Sequence, residues 1–193
     1  MNYLSFKISY DLLIYDFKTL IQYVHPIEDN YLTYSHRIFE LLLRVCTEFE
    51  NVSKEQLIID GYNKPLDKMN IKDFEKLNNK FNLSEEYILL KFLDNKNKFI
   101  QPFSDWNIQD RKLKWYSSYN NVKHNRTKNF NDANFKNLIY SIGGLTLMCY
   151  KIWGFSFFNE TTQSKALIKI NDKDYYECRF FDNSGFTVCT RDA

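Results

Sequence analysis

Apolar positions recur along this chain with two periods, and the change from one to the other divides it. Over residues 8–24, Ile8, Leu12, Tyr15, Leu20 and Val24 fall three to five apart, with Asp11, Asp16, Lys18 and Gln22 between them. That spacing predicts an amphipathic helix closed ahead of Pro26, because a residue before proline is pushed out of the α region. A longer stripe follows in Tyr34, Ile38, Leu41, Leu42, Val45, Phe49 and Val52. It predicts a second helix of several turns, with Glu28 and Asp29 supplying the negative charge favoured at its start. On the other side of that helix Arg37, Glu40, Arg44 and Glu48 stand three and four apart. They form either a solvated, ion-paired face or one that turns Glu48 toward cations elsewhere in the chain.

Residues 60–82 turn polar around Gly61 and Pro65, which predicts a loop holding a short helix near 71–81. Ser84, followed by Glu85 and Glu86, reads as the cap and acidic first turn of a short apolar helix over 87–93, and residues 94–98 return to solvent. Phe99, Ile100, Pro102, Phe103 and Trp106 then form an apolar loop expected to lie across the helices. Two more helices are predicted, at 111–124 and at 133–153, the second capped by Asp132 and buried along Leu138, Ile142, Leu145, Cys149 and Ile152. Gly143 and Gly144 inside it cost about 1 kcal/mol each relative to alanine, which implies that a neighbour approaches closely. The short connection 125–131 makes the helix bearing His124 the expected neighbour, as an antiparallel pair. Beyond residue 158 short alternating apolar runs are separated by Asn-Asp and Asp-Asn-Ser-Gly, which predicts two or three strands. The fold class is therefore mostly α: an antiparallel helical bundle over 1–158 with a small C-terminal β-hairpin appendage over 159–193, packed on the bundle and too small to be a domain.

Composition narrows the partners. A chain of 193 residues with 44% hydrophobic and 18% aromatic content can bury a core, and five Gly with three Pro leave little punctuation for a many-stranded fold. The four cysteines, Cys46, Cys149, Cys178 and Cys189, contain no CxxC pair, as expected for buried reduced thiols in a cytoplasmic protein; Cys178 and Cys189 could also face each other across a hairpin. The N-terminus is broken by Lys7, Asp11 and Asp16, unlike a signal peptide, and no uncharged apolar run approaches the roughly 20 residues of a membrane span. His25, His36 and His124 are too scattered for a zinc site, and no phosphate-loop or hydrolase-elbow motif is present, so neither a metal nor a cofactor is expected.

Charge changes the picture at one place. The net charge is only +2, yet residues 111–128 hold Arg111, Lys112, Lys114, Lys123, Arg126 and Lys128 with no acid. Interleaved with Trp115, Tyr116 and Tyr119, these cations have the composition of a surface for phosphates and stacked bases. Tyr119 and Val122 are expected to turn inward. Asn120 and His124 stand at i,i+4 and share a helical face beside Lys123. His124 would suit a general base acting on a ribose 2′-hydroxyl, with Asn120 orienting it and Lys123 and Arg126 on the phosphate; Glu48 is the candidate supporting carboxylate. The plainer alternative is that Asn120 and His124 only hydrogen-bond their helix to its surroundings.

Tyr119, Asn120, Val122, Lys123, His124 and Arg126, preceded by Trp115 and followed by the 130–133 helix start, resemble the HEPN-type helical domains of prokaryotes. Tyr34 and Ser35 with LLLRVCTEFE at 41–50 are similar to the matching helix of an uncharacterised HEPN-like group. Together these segments cover about half the chain. The resemblance implies a helical bundle, often a homodimer, acting on RNA in toxin–antitoxin or phage-defence systems, where an antitoxin or defence protein can be a partner. Catalytic members cut RNA without metal, using an Arg shortly before a His, joined across a dimer; other members are noncatalytic interaction modules. Here the nearest upstream arginine, Arg111, is separated from His124 by twelve residues, and Asn120 stands where a close arginine would.

Overall fold

The computed structural model describes residues 2–90, 98–108, 111–158, 168–170, 174–180 and 186–191. The first helix, α1 (Tyr3–Leu20), is capped by the Asn2 side chain, which accepts the Ser5 N–H. Its buried face is Tyr10, Leu13, Ile14, Phe17 and Leu20, while Ile8, Leu12 and Tyr15 are exposed. The predicted stripe was thus mostly on the wrong side. Both faces of α1 are apolar, so spacing could not separate them, and the core takes the face carrying Tyr10 and Phe17.

Helix α2 (His36–Ile59) begins eight residues later than Glu28, because Glu28–Asn30 form a 3-10 turn and Ser35 Oγ caps the helix at the Ile38 N–H, 3.2 Å away. Ile38, Leu41, Leu42, Val45, Phe49 and Val52 are buried as expected, whereas Tyr34 precedes the helix and is half exposed. The predicted helix near 71–81 is present as α3 (Ile71–Phe74), with a capping box between Asn70 and Asp73, and α4 (Lys76–Phe81), stopped by Asn82 at φ 55°.

Ser84 does not cap a helix. It lies in a 3-10 turn, its N–H is taken by Asn78 Oδ1 at 2.8 Å, and β1 (Tyr87–Leu90) follows. Ile88, Leu89 and Leu90 are all buried, and a short continuous apolar run of this kind reads equally as buried strand or buried helix until its partners are known. Those partners are β2 (Lys98–Ile100) and a C-terminal strand. The order β2-β1-β5-β4-β3 is antiparallel throughout, with β3 (Ile168–Ile170), β4 (Asp174–Phe180) and β5 (Phe186–Arg191). The C-terminal strands therefore share their sheet with Tyr87–Leu90 and Lys98–Ile100, and β5 also packs on the helix Phe135–Trp153. Cys178 and Cys189 are register partners. Residues 91–97, 171–173 and 181–185, which include the end of the helix expected over 87–93 and the Asn-Asp and Asp-Asn-Ser-Gly separators, lie outside the described residues.

Three elements carry the candidate site: α5 (Lys114–His124), the short α6 (Arg126–Asn129) and α7 (Phe135–Trp153). Helix α7 is capped by Asn134, not Asp132, and its first N–H groups reach the loop before α2: Phe135 N to Thr33 O at 2.8 Å and Lys136 N to Tyr31 O at 3.0 Å. The starts of α2 and α7 therefore sit together, and α1 and α5 run opposite to them, as the pairs Tyr10–Thr146 and Phe17–Phe135 and the pair Tyr116–Glu50 show. This is a helical bundle whose central pair, α2 and α7, runs parallel, with α1 and α5 antiparallel to it, so the expected all-antiparallel arrangement does not extend to the central pair. The two glycines behave as their cost implied: a Cβ on Gly144 would lie 3.1 Å from the Trp115 ring of α5, and one on Gly143 3.0 Å from Ile100.

Candidate nucleic-acid interface

Helix α5 sorts its residues sharply. Trp115, Tyr116, Tyr119 and Val122 follow an i, i+1, i+4, i+7 pattern and face the core, with exposures of 1%, 6%, 2% and 1%. Trp115 Nε1 donates to Pro102 O at 2.8 Å, and its ring meets Phe49 edge to face at 5.1 Å. Tyr116 OH donates to Glu50 Oε1 at 2.8 Å; burial, then the Glu50 charge, pushes the phenol far above its ordinary value. Lys123 Nζ donates to Tyr119 OH at 2.9 Å and sits 4.9 Å from that ring, and the bond raises the lysine's pKa. The expected stacking surface of Trp115, Tyr116 and Tyr119 is therefore absent in this conformation. The rings are core, and no base can lie on them.

The carboxylate at this seam is Glu50, which also lies 3.8 Å from Lys54. Glu48, expected to support the cations, instead lines the groove between α1 and α2 with Ser9, Leu12 and Arg44. Burial raises its carboxyl pKa against the opposing Arg44 charge. The other members of the charged face pair locally: Arg37 with Glu40 at 3.3 Å, and Arg44 with Asp16 of α1. Nothing near Tyr116 in the sequence points to Glu50, 66 residues away.

The outward residues of α5 and α6 are different in kind. Lys112, Lys114, His124, Arg126 and Lys128 are exposed, and none makes an ion pair among the described residues. Asn120, half-buried, shares the His124 face as its spacing requires. Arg111 lies 3.6 Å from Asp105, before the start of α5, whereas His124 ends that helix. At 1.5 Å rise per residue the two are separated by about 15 Å or more, so they form no Arg–His pair within one chain. Arg126 instead rests over the Phe39 ring at 5.6 Å.

Asparagines hold this corner. Asn121 Nδ2 donates to Asp132 Oδ2 at 2.8 Å, Asn137 Nδ2 to Ser118 Oγ and Asp132 O at 2.9 Å each, and Asn125 Oδ1 caps α6 at the Lys128 N–H. The Asn-rich composition is thus spent on caps and ties between helices. Sequence reading also missed a ring group at the start of α2, where Tyr34, His36 and Phe39 surround Phe130. Its one local signal was the aromatic spacing in residues 34–39.

Grooves of about 520, 240 and 420 Å³ run along the α1–α2 seam, and none of their lining residues belongs to α5 or α6. Among the described residues no three His, Cys, Asp or Glu side chains converge as metal ligands, and no helix is long and apolar enough to cross a membrane. No family model, curated protein or solved structure matches the chain.

Proposed function

We propose that this protein is a HEPN-like RNA-binding bundle whose contact surface is the outward side of α5 and α6. The observation that supports it is the exposed group Lys112, Lys114, His124, Arg126 and Lys128, without carboxylate partners among the described residues. The unneutralised cations of that group, Lys112 and Lys114 at the start of α5 and Arg126 and Lys128 beyond its end, attract phosphate by counterion release. The setting is a cytoplasmic phage-defence or toxin–antitoxin system, in keeping with the buried free thiols Cys46 and Cys149, and an antitoxin or defence protein is the partner class. A homodimer has an apolar face at its disposal on α1, formed by Leu4, Ile8, Leu12 and Tyr15.

Cleavage, where it occurs, assigns His124 as base, Arg126 to phosphate and Asn120 to orientation, with Lys123 acting from its bond to Tyr119. His124→Ala should abolish metal-independent RNA degradation, measured with EDTA present, while circular dichroism stays unchanged because the side chain is exposed. A folded His124→Ala protein that degrades RNA as before sinks the catalytic assignment. The second reading, a noncatalytic RNA-binding or scaffold module, is favoured by the separation of Arg111, before the start of α5, from His124 at its end, and predicts no degradation by either protein.

A further inference from the structure

We propose that Tyr34, His36 and Phe130 form a stacking site for an unpaired RNA base, beside the phosphate-binding cations Arg37, Arg126 and Lys128. The proposal rests on the RNA-binding reading above and supplies what burial of Trp115, Tyr116 and Tyr119 removed, namely ring surface open to solvent. Phe130 is half-buried in a 3-10 turn between α6 and α7. Around it stand Tyr34, with centroids 5.5 Å apart and planes at 82°, His36 at 4.9 Å and 40°, and Phe39 at 6.0 Å and 69°. Tyr34 is 50% exposed and His36 is exposed, so the group presents rings outward while Phe39 anchors it inward.

The frame beneath the rings is fixed. Tyr34 forms a β-bridge with Asn134, the Phe135 and Lys136 N–H groups bond to Thr33 and Tyr31, and Ser35 caps α2 directly before His36. Rings held by backbone bonds lose little freedom when a base lands on them, which favours binding. Cations border the group on both sides. Arg126 covers Phe39, Lys128 lies within the same short helix, and Arg37 follows His36 with its side chain 85% exposed and 3.3 Å from the exposed Glu40. Rings bordered by cations match a single strand, whose bases offer free π-faces and whose phosphates run alongside; in a duplex those faces are already stacked.

The test is fluorescence anisotropy with two probes, a single-stranded oligouridine and an RNA duplex of equal length, titrated across salt. The wild type should prefer the single strand. Tyr34→Ala/His36→Ala should bind it roughly tenfold more weakly at an unchanged salt slope, whereas Lys112→Ala/Lys128→Ala should flatten the slope for both probes alike. Unchanged single-strand affinity in the Tyr34→Ala/His36→Ala protein, or equal loss for both probes, overturns the stacking site and leaves RNA binding standing. A wild-type protein that binds neither probe overturns the RNA-binding reading and the stacking site with it.

Discussion

Tyr116 shows how a residue that looks like surface chemistry becomes part of the frame. Its ring is buried against Phe49 and Trp115, and its hydroxyl has one partner, Glu50. Removing that hydroxyl takes a direct hydrogen bond from a carboxylate at a helix seam and leaves it with the charges of Lys54, 3.8 Å away, and Lys123. Tyr116→Phe should therefore cost about 1.5–3 kcal/mol of stability in urea denaturation, the range for a hydrogen bond to a charged group. RNA affinity per folded molecule should stay the same; a stable variant with weakened RNA binding would return Tyr116 to the interface. The inward spacing of Trp115, Tyr116, Tyr119 and Val122 was legible from periodicity alone. What obscured it was the run of lysines between them, since alternation of cation and ring is also the pattern of a nucleic-acid surface. Glu50 was not legible, and the Phe130 group only through the aromatic spacing in residues 34–39, because the partners are remote in the chain and only the packed bundle brings them together.

At the scale of elements, α2 and α7 were readable because each has one long, unbroken apolar face and, in α7, glycines whose cost demanded a close neighbour. Gly144 found the predicted one in Trp115; Gly143 faces the strand residue Ile100 instead. Strand β1 was unreadable because its pairing with β5 depends on residues a hundred positions later. Helix α1 failed for a reason that carries information. It has two apolar faces, and the one left outside, Leu4, Ile8, Leu12 and Tyr15, repeats at three and four along the helix. Its flanks carry both signs, Lys7 paired with Asp11 and Asp16 paired with Arg44, so a second copy in the opposite direction meets complementary charge more readily than a uniformly charged partner would. Sedimentation should show a dimer for the wild type and a monomer for Ile8→Glu/Leu12→Glu, with helix content unchanged since both side chains are exposed. A monomeric wild type at micromolar concentration removes the proposed dimer face.

At the scale of the whole molecule, the shifted groups among the described residues bear differently on the two pH limits. On the acid side they oppose one another. Burial acts to raise the Asp73 carboxyl, but hydrogen bonds from Lys64 at 2.6 Å, Tyr62 at 2.7 Å and the Asn70 N–H at 2.8 Å hold it below the usual range. Its stabilising contribution is present above the unfolded carboxylate value and is lost as pH falls through the folded one. Glu48 and Glu86, raised by burial, contribute with the opposite sign. On the alkaline side the signs agree. Burial raises Cys46 and Cys149 well above an ordinary thiol and raises Tyr116 and Tyr119, while the Tyr119 bond raises Lys123. Each of these holds its proton longer folded than unfolded, so its contribution is complete below the unfolded pKa and lost as pH climbs toward the folded one. Unfolded thiols begin to release protons near pH 8.5 and phenols near 10. The urea midpoint should therefore fall steadily above about pH 8.5. In Cys46→Ala/Cys149→Ala, whatever its absolute stability, the fall should start only near the tyrosine range. A midpoint flat between pH 7 and 10 in the wild type would mean that these groups are not buried together in solution, and would count against the packing of α2, α5 and α7 described above.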